Sequence, residues 1–309
     1  MSISHSKDSP GPSGFESVVI GGTYVDHIFT TKAEIVTDTT VEIDGRSQLL
    51  GGPGISLALS LSRLGTLVAL STAIGECKES AEAAELLAAD GAILLGSVVP
   101  DGILDNSDLY VTPQRRRVVF NSHALSLTVN HLPIVGAFLP TAKLVLVASP
   151  TPVEVGEKIF EVAPPEALKV ALLHSAQARA VASGQNGIIA KADLVIASYS
   201  DGLLMDRELR TNRNGYTVLT RGTEGVTLLL ADSDKELHID QPEKVVDGNE
   251  NGAGEAFCAA LCAYLIRLRK PSLPLTEDSL RSASVFAQSY AAAHVRAGGN
   301  LSFPYSRPV

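Results

Sequence analysis

From residue 142 onward the chain repeats one pattern, in which short, uninterrupted apolar runs alternate with amphipathic stretches. The runs are AKLVLVASP (142–150), LKVALLH (168–174), ADLVIAS (192–198), YTVLTRG (216–222) and TLLLAD (227–232). A strand reads this way when both of its faces are covered, as in a parallel sheet. VEVGEKIFEVA (153–163) has helical spacing, and long helices are predicted from about Gly254 to Leu268 and from about Thr276 to Arg296. Strands alternating with helices give an α/β architecture: a mostly parallel central sheet with helices on both faces.

The first half opens in the same way. Residues 16–22 (ESVVIGG) read as a buried strand ending in a glycine turn. A helix follows from Gly54 to Leu64, then a strand over Leu67–Ala73 and an Ala/Glu-rich helix over Ser80–Ala89. Two stretches break the pattern. Residues 32–50 are rich in Thr, Val and Ile in rough alternation, with Asp44-Gly45 read as a turn. Residues 108–120 (DLYVTPQRRRVVF) read as two short strands around a polar turn. Both are expected to be antiparallel and exposed, and to meet as a small accessory sheet.

Composition narrows the function. With Lys+Arg 25 against Asp+Glu 34 the net charge is −9, whereas a nucleic-acid binder carries a basic surface. Three cysteines in 309 residues do not make a disulfide framework, and they suggest a reducing compartment. The first fourteen residues, MSISHSKDSPGPSG, contain no apolar core for a signal peptide and read as a loose tail. No apolar run reaches the ~20 residues of a membrane helix. The expectation is a cytoplasmic protein with a tail over 1–14 and one domain over 15–309.

In open parallel sheets, ligands bind where strands end and helices begin. Four glycine turns lie at such places. Asn251-Gly252-Ala253-Gly254-Glu255 precedes the first long C-terminal helix. Small residues let backbone amides converge on an anion there, and the helix dipole adds to the attraction. A carboxylate beside such an anion repels it, unless it takes a proton from a hydroxyl attacking phosphorus. Gly51-Gly52-Pro53-Gly54 opens another helix and in isolation is a tight turn. Gly21-Gly22-Thr23-Tyr24-Val25-Asp26 offers a carboxylate that can hold sugar hydroxyls or simply sit solvated in a loop. Thr220-Arg221-Gly222-Thr223-Glu224-Gly225 lies between two strands and alone reads as a hairpin turn.

Other chemistries lack their residues. There is no Gly-Lys dipeptide for a P-loop, no G-x-G-x-x-G after the first strand and no HExxH. Cys258 and Cys262, one helical turn apart, read as core and not as a zinc site. The Arg115-Arg116-Arg117 run reads as a solvated turn, with contact to a phosphorylated ligand as the alternative.

Taken in order, these motifs resemble the ribokinase-like PfkB family of carbohydrate and nucleoside kinases, from about Ser17 to the C-terminus. GGTYVD (21–26), GGPGISLALSLSRLG (51–65), VLTRGTEGV (218–226) and VVDGNENGAGEAF (245–257) carry the likeness. AQSYAAAHVRAGG (287–299) and SFP (302–304) continue it. The resemblance implies a ribokinase-like fold with a β-sheet lid, built here from about 27–50 and 105–121. It implies that Asp26, Gly51, Gly52 and Ser56 hold a sugar or nucleoside. Gly252, Ala253 and Gly254 would form the anion hole, and Glu255 would be the catalytic base. Ser198, Thr220, Gly222, Gly225 and Gln288 would border a nucleotide, and Asp201 would organise Mg²⁺ indirectly. ATP and Mg²⁺ are implied, a monovalent cation is allowed, and a homodimer through the lid fits an exposed sheet edge.

The chain also departs from the family's residues. Its base is Glu255 where the family has Asp, which moves the carboxylate by one C–C bond, ~1.5 Å. A 1 Å misplacement can cost ~10²-fold in rate. The loop between Asp247 and Gly252 is about two residues longer than the family's. Ser56 and Gln288 stand for Asn, Ser198-Tyr199-Ser200-Asp201 for Asn-x-x-Glu, and His174-Ser175-Ala176 for Asp-Pro-Asn. Several replacements keep the donor–acceptor class (Glu for Asp, Asp for Glu, Gln for Asn, Ser for Asn), as a retuned site would. The expected activity is ATP-dependent phosphoryl transfer to a hydroxyl. The alternatives are a pseudokinase that binds ligand or scaffolds a partner, and a nucleotide-binding oxidoreductase.

Overall fold

The computed structural model describes residues 14–99, 102–113, 117–122, 125, 127–128, 130, 132–211, 215–230, 235–243, 245, 248–268 and 275–299. Residues 1–13 of the expected tail, Arg115, Arg116, Asp247 and the 302–304 segment lie outside the described residues.

The first part of the chain holds β1 (Ser17–Ile20), β2 (Tyr24–Thr31), β3 (Ile43–Gly51), α1 (Pro53–Arg63), β4 (Val68–Gly75), α2 (Lys78–Ala89) and β5 (Ile93–Val99). Then come β6 (Asp105–Val111), β7 (Arg117–Ser122), α3 (Leu132–Gly136), β8 (Leu144–Ala148), α4 (Val153–Val162) and β9 (Leu168–Leu173). Next are α5 (Ser175–Ala182), α6 (Gly187–Lys191), β10 (Leu194–Ser198), α7 (Tyr199–Leu204) and α8 (Asp206–Thr211). The last elements are β11 (Tyr216–Thr220), β12 (Val226–Leu229), β13 (Glu236–Ile239), α9 (Ala253–Leu268) and α10 (Glu277–Arg296).

Nine strands form the main sheet, in the order β13-β12-β11-β10-β9-β8-β1-β4-β5. It is parallel from β5 to β11, and β12 and β13 add an antiparallel edge. Period-two alternation sorts the apolar runs between two cores. On β8, Leu144 and Leu146 face the core shared with α1 and α9, while Val145 and Val147 face the core shared with α4. Continuous apolar runs are therefore required here, because each strand has a helical layer on both sides. Helix α9 is apolar nearly all round because it lies between α1 and α10, with Cys258 and Cys262 fully buried. The start of α10 is set by Thr276, whose side chain accepts from the Ser279 amide at 3.2 Å.

A second sheet of four strands runs β3-β2-β6-β7. It is mixed: β2 pairs antiparallel with β3 and parallel with β6, and β6 pairs antiparallel with β7. The 32–50 segment departs from expectation. Residues 43–51 are one strand, and its hairpin partner is β2, which the sequence pattern did not reveal. Asp44-Gly45 is not a turn. Thr30 faces Gly45 and Thr31 faces Ile43, so Asp44 is the extra residue of a β-bulge. A Cβ on Gly45 would lie 2.7 Å from Thr30 Oγ1, so glycine suits this crowded register shift. At 220–225 the hairpin reading holds: β11 and β12 are antiparallel and a 3₁₀ turn over Gly222–Glu224 joins them. Among the described residues no helix is long and apolar enough to cross a membrane.

The two sheets meet where β1 ends. The Gly22 amide donates to Ser149 O at 3.0 Å and the Gly54 amide to Gly22 O at 2.8 Å. A Cβ at Gly54 would come within 2.6 Å of the Gly21 carbonyl carbon and oxygen. Both clashing atoms are backbone and cannot swing away. Gly54→Ala is therefore expected to lower stability by about 1–3 kcal/mol, the usual cost of overpacking. Thermal or urea unfolding of the variant beside the native chain checks this, and an unchanged midpoint would show that the two backbones can part freely.

Candidate active site

The chain reverses direction across the sheet between β1 and β8, and strand ends splay apart at such a point. Two further elements arrive there: β2, which carries Asp26, and the N-terminus of α9, which carries Glu255.

Asp26 is 8% exposed, so it is not a solvated loop carboxylate. It sits on a strand whose neighbour makes room for it. A Cβ on Gly51 would fall 2.0 Å from Asp26 Oδ2. Gly52 takes φ 99° as it opens α1, and a Cβ there would meet Gly22 O at 2.7 Å. The Gly51-Gly52 pair is thus required by contact as well as by the turn. Ser56 is half-buried on the first turns of α1. Burial, then the nearby Glu255 carboxylate, push the Asp26 carboxyl up to about 6, against a smaller opposing effect of His27. Burial and the neighbouring Asp105 push the Tyr24 phenol upward as well.

Glu255 lies in the first turn of α9 with its side chain 17% exposed. Its Oε1 is 4.0 Å from Nε2 of His174, the residue that precedes α5. Gly252 reaches φ 78°, which favours glycine, and turns the chain into the helix. Of the three residues expected to supply an anion hole, Ala253 already donates its amide to Glu250 O at 3.1 Å. Helix geometry leaves the first-turn amides without intrahelical acceptors, and a Cβ on Gly254 would meet nothing within 4 Å. The open approach to this helix start is therefore over Gly254.

Beyond it lies a cavity of about 240 Å³. Thr220, Gly222 and Gly225 line it from the β11–β12 turn, Ala253 and Gly254 from α9, and Gln288 from α10. Three segments far apart in sequence thus converge there. Gln288 is 2% exposed; its Nε2 donates to Ile239 O at 3.3 Å, and its Oε1 has no partner. Gly225 needs its φ of 102°, since a Cβ there would strike Ile239 O at 2.1 Å.

Ser198 and Asp201 do not line this cavity. They cap α7 together: Ser198 Oγ accepts the Asp201 amide at 3.1 Å and donates to Asp201 Oδ2 at 2.8 Å. Arg221 stacks over the Tyr199 ring at 3.9 Å and joins the cap to the β11–β12 turn. Asp26, Gly51, Gly52 and Ser56 do not line this cavity either and sit at the junction of the sheets. Among the described residues no group of three or more His, Cys, Asp or Glu could hold a metal ion. Gln241 and Glu250 also line the cavity and had no sequence signal, being single polar residues in loops.

The chain matches the family described as pfkB family carbohydrate kinase over residues 15–304. It is 32% identical over 92 residues to a ribokinase of Dictyostelium discoideum, a match covering 30% of this chain and 27% of that protein. Its fold is similar to the structure of ribokinase from Giardia lamblia, with TM-score 0.81 and 17% identity over 92% of this chain and 93% of that one. It is also similar to Arabidopsis thaliana ribokinase complexed with ribose and ATP, with TM-score 0.68 and 14% identity over 91% and 92% of the two chains. With the paired sheets, the glycine-lined junction and the match over residues 15–304, the chain belongs to the pfkB family of carbohydrate kinases.

Proposed function

We propose that the chain transfers the terminal phosphoryl group of ATP to a hydroxyl of a sugar or nucleoside. The observation that carries this reading is the position of Glu255. It stands next in sequence to Gly254, which lines the cavity, while its charge reaches the buried Asp26 carboxylate at the junction of the sheets.

In this reading Asp26 accepts hydrogen bonds from the acceptor's hydroxyls and holds it against the Gly51-Gly52 turn and Ser56. Glu255 takes the proton of the attacking hydroxyl, whose oxygen bonds to the γ-phosphorus as the bond to the β-phosphate oxygen breaks. The first-turn amides of α9, over Gly254, stabilise the charge on the transferred group. Thr220, Gly222, Gly225 and Gln288, which line the cavity, receive the nucleotide. The Ser198–Asp201 cap, which lies outside the cavity lining, would act on Mg²⁺ only indirectly. When bound with ATP, Mg²⁺ neutralises charge on the phosphates. The four-stranded sheet serves as the lid, and covering the site keeps water from taking the phosphoryl group. A dimer would pair free edges of that sheet, at β3 or β7.

Acceptor-dependent ADP release, measured over a panel of sugars and nucleosides with Mg²⁺, tests the reaction directly. Glu255→Gln is expected to lower kcat by about 10²–10⁴-fold while ATP and acceptor binding persist. Turnover equal to the native chain would remove Glu255 from the role of base. Stabilisation by ATP with no turnover on any acceptor would leave a ligand-binding protein.

Asp26 gives a second test. Its carboxyl ordinarily titrates at 3.8 and titrates here at about 6, so the folded state binds the proton more tightly. Its contribution favours folding fully below about pH 4 and is lost as pH rises through about 6. Asp26→Asn removes this dependence. The stability of the variant relative to the native chain is expected to rise by up to about 3 kcal/mol between pH 4 and pH 7. Acceptor KM should rise in the same variant. A pH-independent difference in unfolding midpoints would mean that Asp26 titrates normally.

A further inference from the structure

The loop before α9 is longer than the family's pattern, and the structure ties it to the end of α10. The Asn249 amide donates to Val295 O at 3.2 Å, while the Gly299 amide closes the end of α10 itself on His294 O at 3.0 Å. Within the loop, the Asn251 amide donates to Asn249 Oδ1 at 3.0 Å. The two backbones are close enough that a Cβ on Gly248 would lie 2.5 Å from Val295 O, and one on Gly299 would lie 2.6 Å from Asn249 O.

Among the described residues, the side chain of His294 crosses this seam. His294 is 6% exposed, and its Nε2 lies 3.0 Å from Asn251 O. A carbonyl only accepts, so Nε2 carries the proton and donates. The same nitrogen would be 3.1 Å from a Cβ on Gly252, the residue whose left-handed φ starts α9. Burial holds the imidazole below its ordinary range, against the Asn251 hydrogen bond and the Glu255 charge, with Arg63 adding to the lowering. The neutral ring with its proton on Nε2 makes this bond without burying a charge.

We propose that His294 is a positioning residue. Its bond to Asn251 O fixes the 249–252 turn, and hence the orientation of the Gly254 amide and the Glu255 carboxylate that follow. The inserted residues would otherwise leave this turn free to shift, and a base one methylene longer than aspartate needs its backbone set accordingly. Because α10 also carries Gln288 in the cavity lining, the same helix holds part of that lining and, through His294, the turn that starts α9. This inference rests on the proposed phosphoryl transfer for its kinetic consequence, though not for its structural one.

Two variants that differ by one methylene separate positioning from simple packing. His294→Gln places an amide N–H near the position of Nε2; His294→Asn is polar and compact but falls short of Asn251 O. The Asn variant is expected to lose about 10²-fold in kcat, the scale of a 1 Å misplacement, with little change in acceptor KM. Hydrogen exchange of its 249–256 amides should speed up while the middle of α10 stays protected. The Gln variant should keep most of kcat and the native exchange pattern. Equal behaviour of the two variants, in rate and in exchange, would overturn the proposal. If the native chain itself shows no turnover, the reaction is wrong, and the exchange comparison still decides the role of His294.

Discussion

The contact between the end of β1 and the start of α1 is the constraint on which the site depends. Gly21 and Gly54 bring two backbones together more closely than any side chain would permit. That approach sets the height at which α1 leaves the sheet and brings Gly51 over Asp26. Without it, β2 and β3 could not fold back across the strand ends, and Asp26 would face solvent. The backbone hydrogen bond from Gly54 to Gly22 replaces the side-chain contacts that glycine forgoes.

Electrostatics build on that frame. Two carboxylates from different sheets and helices, Asp26 and Glu255, are held near one another in a partly dehydrated place. Burial and the nearby Glu255 charge raise the energy of ionised Asp26, so that carboxylate is not there for stability. Proteins keep such pairs where the chemistry needs them. The polar seam from α9 to α10 shows the opposite economy: nearly every group in it has a partner, and its one histidine can stay neutral.

The main sheet was legible because covered strands need unbroken apolar runs, and Val18–Ile20, Leu144–Ala148 and Leu194–Ala197 have them. The long C-terminal helices were legible within a residue or so, from the glycine turn before Ala253 and the Thr276 cap. What failed was local and exposed. β2 reads YVDHIFTT, with a buried aspartate and half-exposed apolar residues, so its pattern matches no simple template. Asp44-Gly45 is good turn chemistry, but Thr30 and Thr31 offered it a strand partner and it became a bulge. For the site, the glycine motifs were visible and their resemblance to one family named their roles. The meeting of the 220s turn, the α9 start and Gln288 is a tertiary fact that no periodicity encodes. His294 had no signal, because one histidine in an alanine-rich helix looks like any other core residue.

The proximity of Asp26 and Glu255 also bears on how a catalytic cycle would end. A neutral polyol suits a pocket that is rich in acceptors and negatively charged. Once phosphorylated, the same molecule carries about two new negative charges at neutral pH. It then sits against Asp26 and a Glu255 that becomes ionised again when its proton leaves. On the proposed reaction, the charge arrangement that receives a neutral acceptor would repel the product and favour its departure.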